Sequence, residues 1–307
     1  MKYLALVFII LAAIGSQAQR LERTYVCEAV GDTGSWITVW PAGKNVQATL
    51  ILLPAFGEMA DSALKHTAIA SVASKHGIAV IIPCLPTDNF GIDSATQHKL
   101  SFIIKAAFKK SGLPAKPVYI GGFSMGGSAA VKYAALAATD TSRLKPTAVF
   151  GIDPPLDFER FYDASVRSIR LAGNATPPQE PVYMSARMVK EMKGTPGTAL
   201  HAYRAMTPYS YSDTSGAAVK LLKSTPLLLI TEPDVTWWMD NRGADFTGMN
   251  STDCAAMINE LQRAGNSNAV LKTTMGKGFR EPGHIRHPHS WSIADPDELI
   301  NWLLKYH

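Results

Sequence analysis

The stretch Pro117-Val118-Tyr119-Ile120-Gly121-Gly122-Phe123-Ser124-Met125-Gly126-Gly127-Ser128-Ala129-Ala130 decides the fold. Residues 117–121 form a short apolar run of the kind that makes a strand buried on both faces. Residues 126–138 are small and rich in Ala, which suits a helix packed close against its neighbours. Between them lies G-x-S-x-G, Gly122 to Gly126, in the strand–turn–helix setting that a nucleophile elbow requires. The requirement is steric. A serine held on so sharp a turn takes strained backbone angles and lifts its hydroxyl above the sheet. The positions two before and two after it must be small, because strand and helix approach closely there. The first N–H groups of the helix lack partners and face any negative charge that develops at the serine. A G-x-S-x-G string alone is a weak signal; the flanking strand and helix give it weight.

The same alternation runs through most of the chain. Segments 35–40, 48–53, 78–83, 147–152, 226–231 and 269–274 are further apolar runs rich in β-branched residues and read as strands. Helical stretches lie between most of them, at 61–75, 94–110 and 251–264. In the last of these, Ala255, Ala256, Ile258 and Leu261 fall near helical spacing. The final helix opens at Asp295-Pro296-Asp297-Glu298, a capping box with Pro at the first helical position, and sets Leu299, Trp302 and Leu303 on one face. The pattern predicts an α/β fold with a mostly parallel central sheet covered on both sides. The two earliest strands, 35–40 and 48–53, have no helix between them and are expected to form an antiparallel edge. The rhythm breaks at 155–224, where no strand is convincing. Phe158, Phe161, Tyr162, Val166 and Ile169 fall at helical spacing there, as do Met184, Met188 and Met192, with Pro177, Pro178 and Pro181 separating the pieces. A segment of that length is not a bare loop. It is expected to be a helical cap insertion within one domain spanning 19–307, either covering the sheet or shaping a substrate pocket.

On these residues the chain resembles the α/β-hydrolase family, over most of 19–307. The resemblance implies a serine nucleophile, a carboxylate and a histidine base in that chain order, and hydrolytic or acyl-transfer chemistry. Ser124 is then the nucleophile, and its hydroxyl needs a base to become competent. In the family the histidine lies between the last strand and the last helix. The candidates here stand in His284-Ile285-Arg286-His287-Pro288-His289-Ser290-Trp291. His289 is nearest the helix, in a His-Ser-Trp context like the family's histidine turn, and is the first choice; His287 and His284 follow. A metal site on these three is the alternative, but no Cys or Glu-rich segment accompanies them and none is expected. His66, His76 and His307 read as surface residues.

The histidine needs a carboxylate to fix its tautomer. Thr231-Glu232-Pro233-Asp234 follows the strand 226–231 and resembles the family's usual acid loop, which makes Asp234 the first choice. Gly151-Ile152-Asp153-Pro154 follows the preceding strand, where some lipase-like members carry the acid, so Asp153 is the alternative. Glu232, Asp240 and Asp245 rank below both. An oxyanion hole needs two backbone donors. One is expected from Met125 and the other from Phe56, in the loop Pro54-Ala55-Phe56-Gly57. The family commonly has His-Gly-x-Gly there, and this chain departs from it at Pro54-Ala55. Trp237 and Trp238, just after the first-choice acid, are expected to line a substrate pocket or to pack under the cap.

Composition narrows the remaining classes. The 307 residues are 47% hydrophobic and 18% charged, which excludes disorder and low complexity. The net charge of +5 is scattered, and its longest basic run is Lys109-Lys110, so no nucleic-acid surface is expected. Neither a P-loop nor a dinucleotide fingerprint is present, and no cofactor is expected. Lys2, the apolar run 4–14 and Gly15-Ser16-Gln17-Ala18 predict a signal peptide over 1–18, cleaved to leave Gln19. The apolar run is shorter than the ~20 residues of a spanning helix, so a secreted or periplasmic protein without stable membrane insertion is expected. Cys27, Cys84 and Cys254 allow one bridge and a spare thiol, or three buried free thiols. Asn174-Ala175-Thr176 and Asn250-Ser251-Thr252 are glycosylation sequons, with meaning only in a eukaryotic secretory pathway. Together these readings point to an exported serine hydrolase acting on small-molecule carboxylic esters. A peptidase or acyltransferase with the same triad is the first alternative. A non-catalytic binding protein on the same fold is the second, and it would be marked by a degraded site.

Overall fold

A computed structural model describes residues 20–29, 32–41, 43 and 45–307. The expected leader 1–18 lies outside the described residues. The predicted strands all form, and an additional one precedes them. They are β1 (Arg20–Ala29), β2 (Asp32–Trp40), β3 (Ala48–Leu53), β4 (Ile78–Pro83), β5 (Val118–Phe123), β6 (Ala148–Ile152), β7 (Leu227–Thr231) and β8 (Ala269–Thr273). Together they make one sheet in the order β1-β2-β4-β3-β5-β6-β7-β8. From β4 to β8 every pairing is parallel.

The antiparallel edge differs from expectation. It is built from β1 and β2, with β2 antiparallel to β4. The strand at 48–53 instead sits inside the parallel part, between β4 and β5. All six of its residues are buried, and an edge position would leave such a run half in water. The Arg- and Glu-bearing β1 takes the outer position instead.

Side chains alternate between two apolar layers, as a strand buried on both faces requires. In β3, Ile51 and Leu53 enter one cluster and Leu50 and Leu52 the other; each such burial contributes about 2 kcal/mol. One layer packs on α1 (Ala60–His66), α2 (Ile69–Lys75) and the C-terminal α11 (Pro296–Leu303). The expected single helix at 61–75 is thus two, parted at Thr67-Ala68. The other layer packs on α3 (Ser94–Ser111), α4 (Met125–Ala137) and α10 (Asn250–Arg263). Asp295 caps α11 by accepting the Glu298 N–H.

Residues 155–224 lie between β6 and β7 and hold α5 (Phe158–Leu171), α6 (Gln179–Met192), α7 (Pro196–Met206) and α8 (Ala217–Leu222), with no strand. Val219 and Leu222 of α8 join the layer over α4, so this last helix belongs to the sheet's own cover. The other three share a separate cluster. Met184, Met188 and Met192 bury one face of α6 against Phe158 and Tyr203, and Phe90 and Met125 complete it. The insertion therefore packs on the residue that follows Ser124. After β7 come α9 (Val235–Arg242) and a short 3-10 turn at Phe246–Gly248 before α10. A two-strand hairpin, β9 (Phe279–Arg280) with β10 (Ile285–Arg286), precedes His289. All three cysteines are free thiols, Cys27 exposed, Cys84 half-buried and Cys254 buried.

Candidate active site

Ser124 sits between β5 and α4 with φ 53° and ψ −125°. A non-glycine residue at positive φ is strained, and here the surroundings fix it. Its N–H donates to the Ile152 carbonyl at 2.8 Å, extending the β5–β6 pairing past the strand end. A Cβ at either Gly122 or Gly126 would lie 2.3 Å from the Leu53 carbonyl oxygen, which accounts for both glycines of the motif. The same approach brings the loop after β3 against the start of α4.

His289 joins Ser124 to Asp153. Its Nε2 lies 2.9 Å from Ser124 Oγ, and its Nδ1 lies 2.6 Å from Asp153 Oδ2. An ionised carboxylate only accepts, so Nδ1 carries the proton and Nε2 is left to accept from the serine hydroxyl. Other contacts fix the ring and its loop. Phe123 packs on the imidazole with centroids 4.6 Å apart. Arg280 donates twice to the His289 carbonyl, each at 3.1 Å, and the His289 N–H donates to His287 Nδ1 at 3.1 Å. Asp153 stands directly beyond β6 at φ 44°, with its N–H on the Ile230 carbonyl and its own carbonyl accepting from Asn250 Nδ2.

Asp234, the sequence's first choice of acid, is placed elsewhere. It caps α9 by accepting the Trp237 N–H and pairs with Arg286 at 2.5 Å. Of the two candidate acids, the structure brings Asp153 and not Asp234 to His289. The reason lies in the chain path: Asp234 is three residues beyond the end of β7, already inside the turn into α9, whereas Asp153 follows β6 immediately. Glu232 is buried and accepts from Thr274, from the Lys277 and Gly278 N–H groups, and from Arg286 at 2.7 Å. It anchors the segment leading to His289. Asp245 pairs with Arg167 at 2.6 Å, and Asp240 is exposed.

The runner-up histidines are also separated. His284 stacks on Phe279 and lies 3.1 Å from Glu281. His287 is buried against Trp237 and Trp238, with centroids 4.7 and 5.6 Å away. Burial first, then the charges of Arg280, His289 and Arg242, push its imidazole down to about 3, so it is neutral near pH 7.

The two expected oxyanion donors border one open cavity of about 1100 Å³ together with Ser124, Asp153 and His289. Neither the Phe56 nor the Met125 N–H is taken up by another bond among the described residues. Glu58, which the sequence reading did not single out, holds this loop. It accepts from the Ala55 N–H at 2.9 Å and from Trp291 Nε1 at 3.1 Å, and its other neighbour is His66 Nδ1 at 2.6 Å. His66 is therefore not a plain surface residue. An acidic side chain one position past Gly57 was the available signal. The cavity wall comes from α5 and α6 on one side and from 238–251 on the other. Trp238 lines it, while Trp237 lies behind on His287.

No family model and no curated protein matches the chain. Solved structures do. Carboxyl esterase 2 of the fungus Tuber melanosporum superposes with a TM-score of 0.64 at 12% identity, over 97% of this chain and 89% of that one. An esterase of Pyrobaculum calidifontis gives 0.60 at 14% identity, over 93% and 85%. The fluorophosphonate-binding serine hydrolase F of Staphylococcus aureus gives 0.55 at 15% identity, over 93% and 98%. At such identities the likeness establishes the fold, and the chain has the α/β-hydrolase fold.

Proposed function

We propose that the protein is a serine hydrolase cleaving carboxylic esters through an acyl-enzyme on Ser124, with His289 as base and Asp153 as acid. The observation that carries this reading is the unbroken relay from Ser124 Oγ through His289 to Asp153, at 2.9 and 2.6 Å, opening into a cavity. A non-catalytic binding protein on this fold has no use for such a relay at a strained serine.

The chemistry follows from the positions. Ser124 Oγ bonds to the ester carbonyl carbon as its proton passes to His289 Nε2. Asp153 stabilises the imidazolium and keeps its orientation. The carbonyl oxygen becomes an oxyanion facing the Met125 and Phe56 N–H groups. Collapse breaks the carbon–oxygen bond to the alcohol, which leaves with the His289 proton. A water then repeats the cycle and releases the acid. The esterases of like fold support ester chemistry. The leader-like composition of 1–18 supports export, testable by sequencing the N-terminus of the exported protein, where Gln19 is expected.

A fluorophosphonate probe tests the centre. Wild-type protein should be labelled, Ser124→Ala should not, and p-nitrophenyl esters should be turned over with the same dependence. Folded wild-type protein that takes no label would overturn the reading. Labelling without ester turnover selects peptidase or acyl-transfer chemistry instead.

A further inference from the structure

The arginines around the cavity divide into two groups. Arg160 pairs with Asp253 at 2.5 Å, Arg167 with Asp245, and Arg286 with both Glu232 and Asp234. Arg242 and Arg280 have no carboxylate within ion-pair distance among the described residues. Arg242 ends α9, lines the cavity that holds Ser124 and His289, and meets His287 Nε2 at 3.3 Å. Arg280 spends its donors on the His289 carbonyl, a neutral acceptor.

Arg242 is therefore a guanidinium on the wall of the cavity that holds Ser124 and His289, with a neutral imidazole against it. With no carboxylate of the described residues paired to it, its donors stay available to an anion entering the cavity. Burial lowers the pKa of the Arg280 guanidinium, Glu180 on the cavity wall of α6 opposes that shift and Arg242 adds to it, and no ion pair joins Glu180 to Arg280 among the described residues. A guanidinium facing a cleft also suits bidentate capture of a planar carboxylate.

We propose that Arg242, backed by Arg280, forms an anion subsite beside Ser124, and that the substrates are esters bearing a carboxylate on the acyl part. This rests on the serine-esterase reading above. Arg242 acts in binding, and it touches neither Ser124 nor Asp153 by a hydrogen bond among the described residues.

The test compares p-nitrophenyl hydrogen glutarate with p-nitrophenyl valerate, which share chain length and differ in the terminal carboxylate. Wild-type kcat/KM should favour the glutarate by about 10- to 100-fold, the span of a hydrogen bond to a charged group. Arg242→Gln should bring that ratio close to one, Arg242→Lys should leave it intermediate, and Glu180→Gln should raise it. Added salt should lower the wild-type ratio. A wild-type ratio of one or less overturns the subsite. So does an Arg242→Gln protein that slows on both esters alike, since a merely structural defect keeps the ratio. If neither ester is turned over, the esterase reading fails, and calorimetry of Ser124→Ala with glutarate decides the subsite separately. Binding that disappears on adding Arg242→Gln supports it, and no binding refutes it.

Discussion

Asp153 Oδ2 lies 2.6 Å from His289 Nδ1, at the end of the strand that pairs with the one leading into Ser124. Asp153→Asn replaces an acceptor with an amide that favours the wrong imidazole tautomer. It should lower kcat by about 10³- to 10⁴-fold with the fold intact. Asp234→Asn should instead cost about 1 kcal/mol through the α9 cap and the Arg286 pair, with turnover within about tenfold of wild type. Steady-state kinetics and denaturant unfolding of both variants check this, and a reversed order would return the acid to Asp234.

Glu58 ties the loop carrying Phe56 to Trp291, and Trp291 packs on Phe123, which packs on His289. Glu58→Ala frees the Ala55 N–H and loosens both sides of the reacting centre. Its kcat should fall about 10- to 100-fold with KM much less affected, less than the roughly 10²- to 10³-fold of a donor lost outright. Glu58→Gln keeps one acceptor oxygen and should recover most of that loss. Equal changes in kcat and KM for both variants would reduce Glu58 to a packing residue.

A Cβ at Gly126 would meet the Leu53 and Pro54 carbonyl oxygens at 2.3 and 2.4 Å. Both belong to backbone, so neither can swing aside. Gly126→Ala should destabilise by about 3 kcal/mol, at the upper end of overpacking costs. It should also displace the loop that bears Phe56. Thermal unfolding gives the first effect, and residual kcat in the folded fraction gives the second.

Burial holds the His287 imidazole neutral down to about 3, against an ordinary value of 6.5. Between those values the unfolded chain binds a proton that the folded chain refuses. Stability from this residue is therefore fully present above about pH 6.5 and falls as the pH drops, by at most about 1.4 kcal/mol per pH unit. Asp253 works in the opposite sense. Burial, followed by Arg160 and Asp157 as lesser influences, leaves it at about 7, above its ordinary 3.8. Its contribution is largest below about pH 4 and is lost as the pH rises through 7. Denaturant unfolding of His287→Phe from about pH 4 to 7 isolates the imidazole. The wild type should lose stability on acidification relative to the variant, and parallel curves would refute the assignment.

The proposed nucleophile and base were legible because each depends on local pattern. The elbow at Ser124 is written in its flanking strand, its glycines and the small helix after it. His289 is placed by its distance from the last helix. The acid was harder, because Gly151-Ile152-Asp153-Pro154 and Thr231-Glu232-Pro233-Asp234 look alike as strand-end loops. What separates them is the φ of 44° at Asp153 and the turn of Asp234 into α9, and neither shows in residue types. Strand β1 escaped notice because its sequence, Arg-Leu-Glu-Arg-Thr-Tyr-Val-Cys-Glu-Ala, is polar enough for an edge and too polar for a buried run. The split between α1 and α2 escaped because Thr67-Ala68 carries neither Gly nor Pro. Glu58 and Arg242 gain their positions from contacts across the fold, which single-chain spacing does not encode.

Suspending Ser124 and Asp153 from adjoining strands has a consequence for the molecule's capacity to change. Residues 235–249, with Trp238 and Arg242 on the rim, take no part in moving the proton. The outer part of this rim, 243–249, can be lengthened or recharged while the contacts of Trp237, Trp238 and Arg242 with His287 keep the His289 loop in place. New substrate preferences can thus arise there by small sequence changes, without passing through an inactive intermediate.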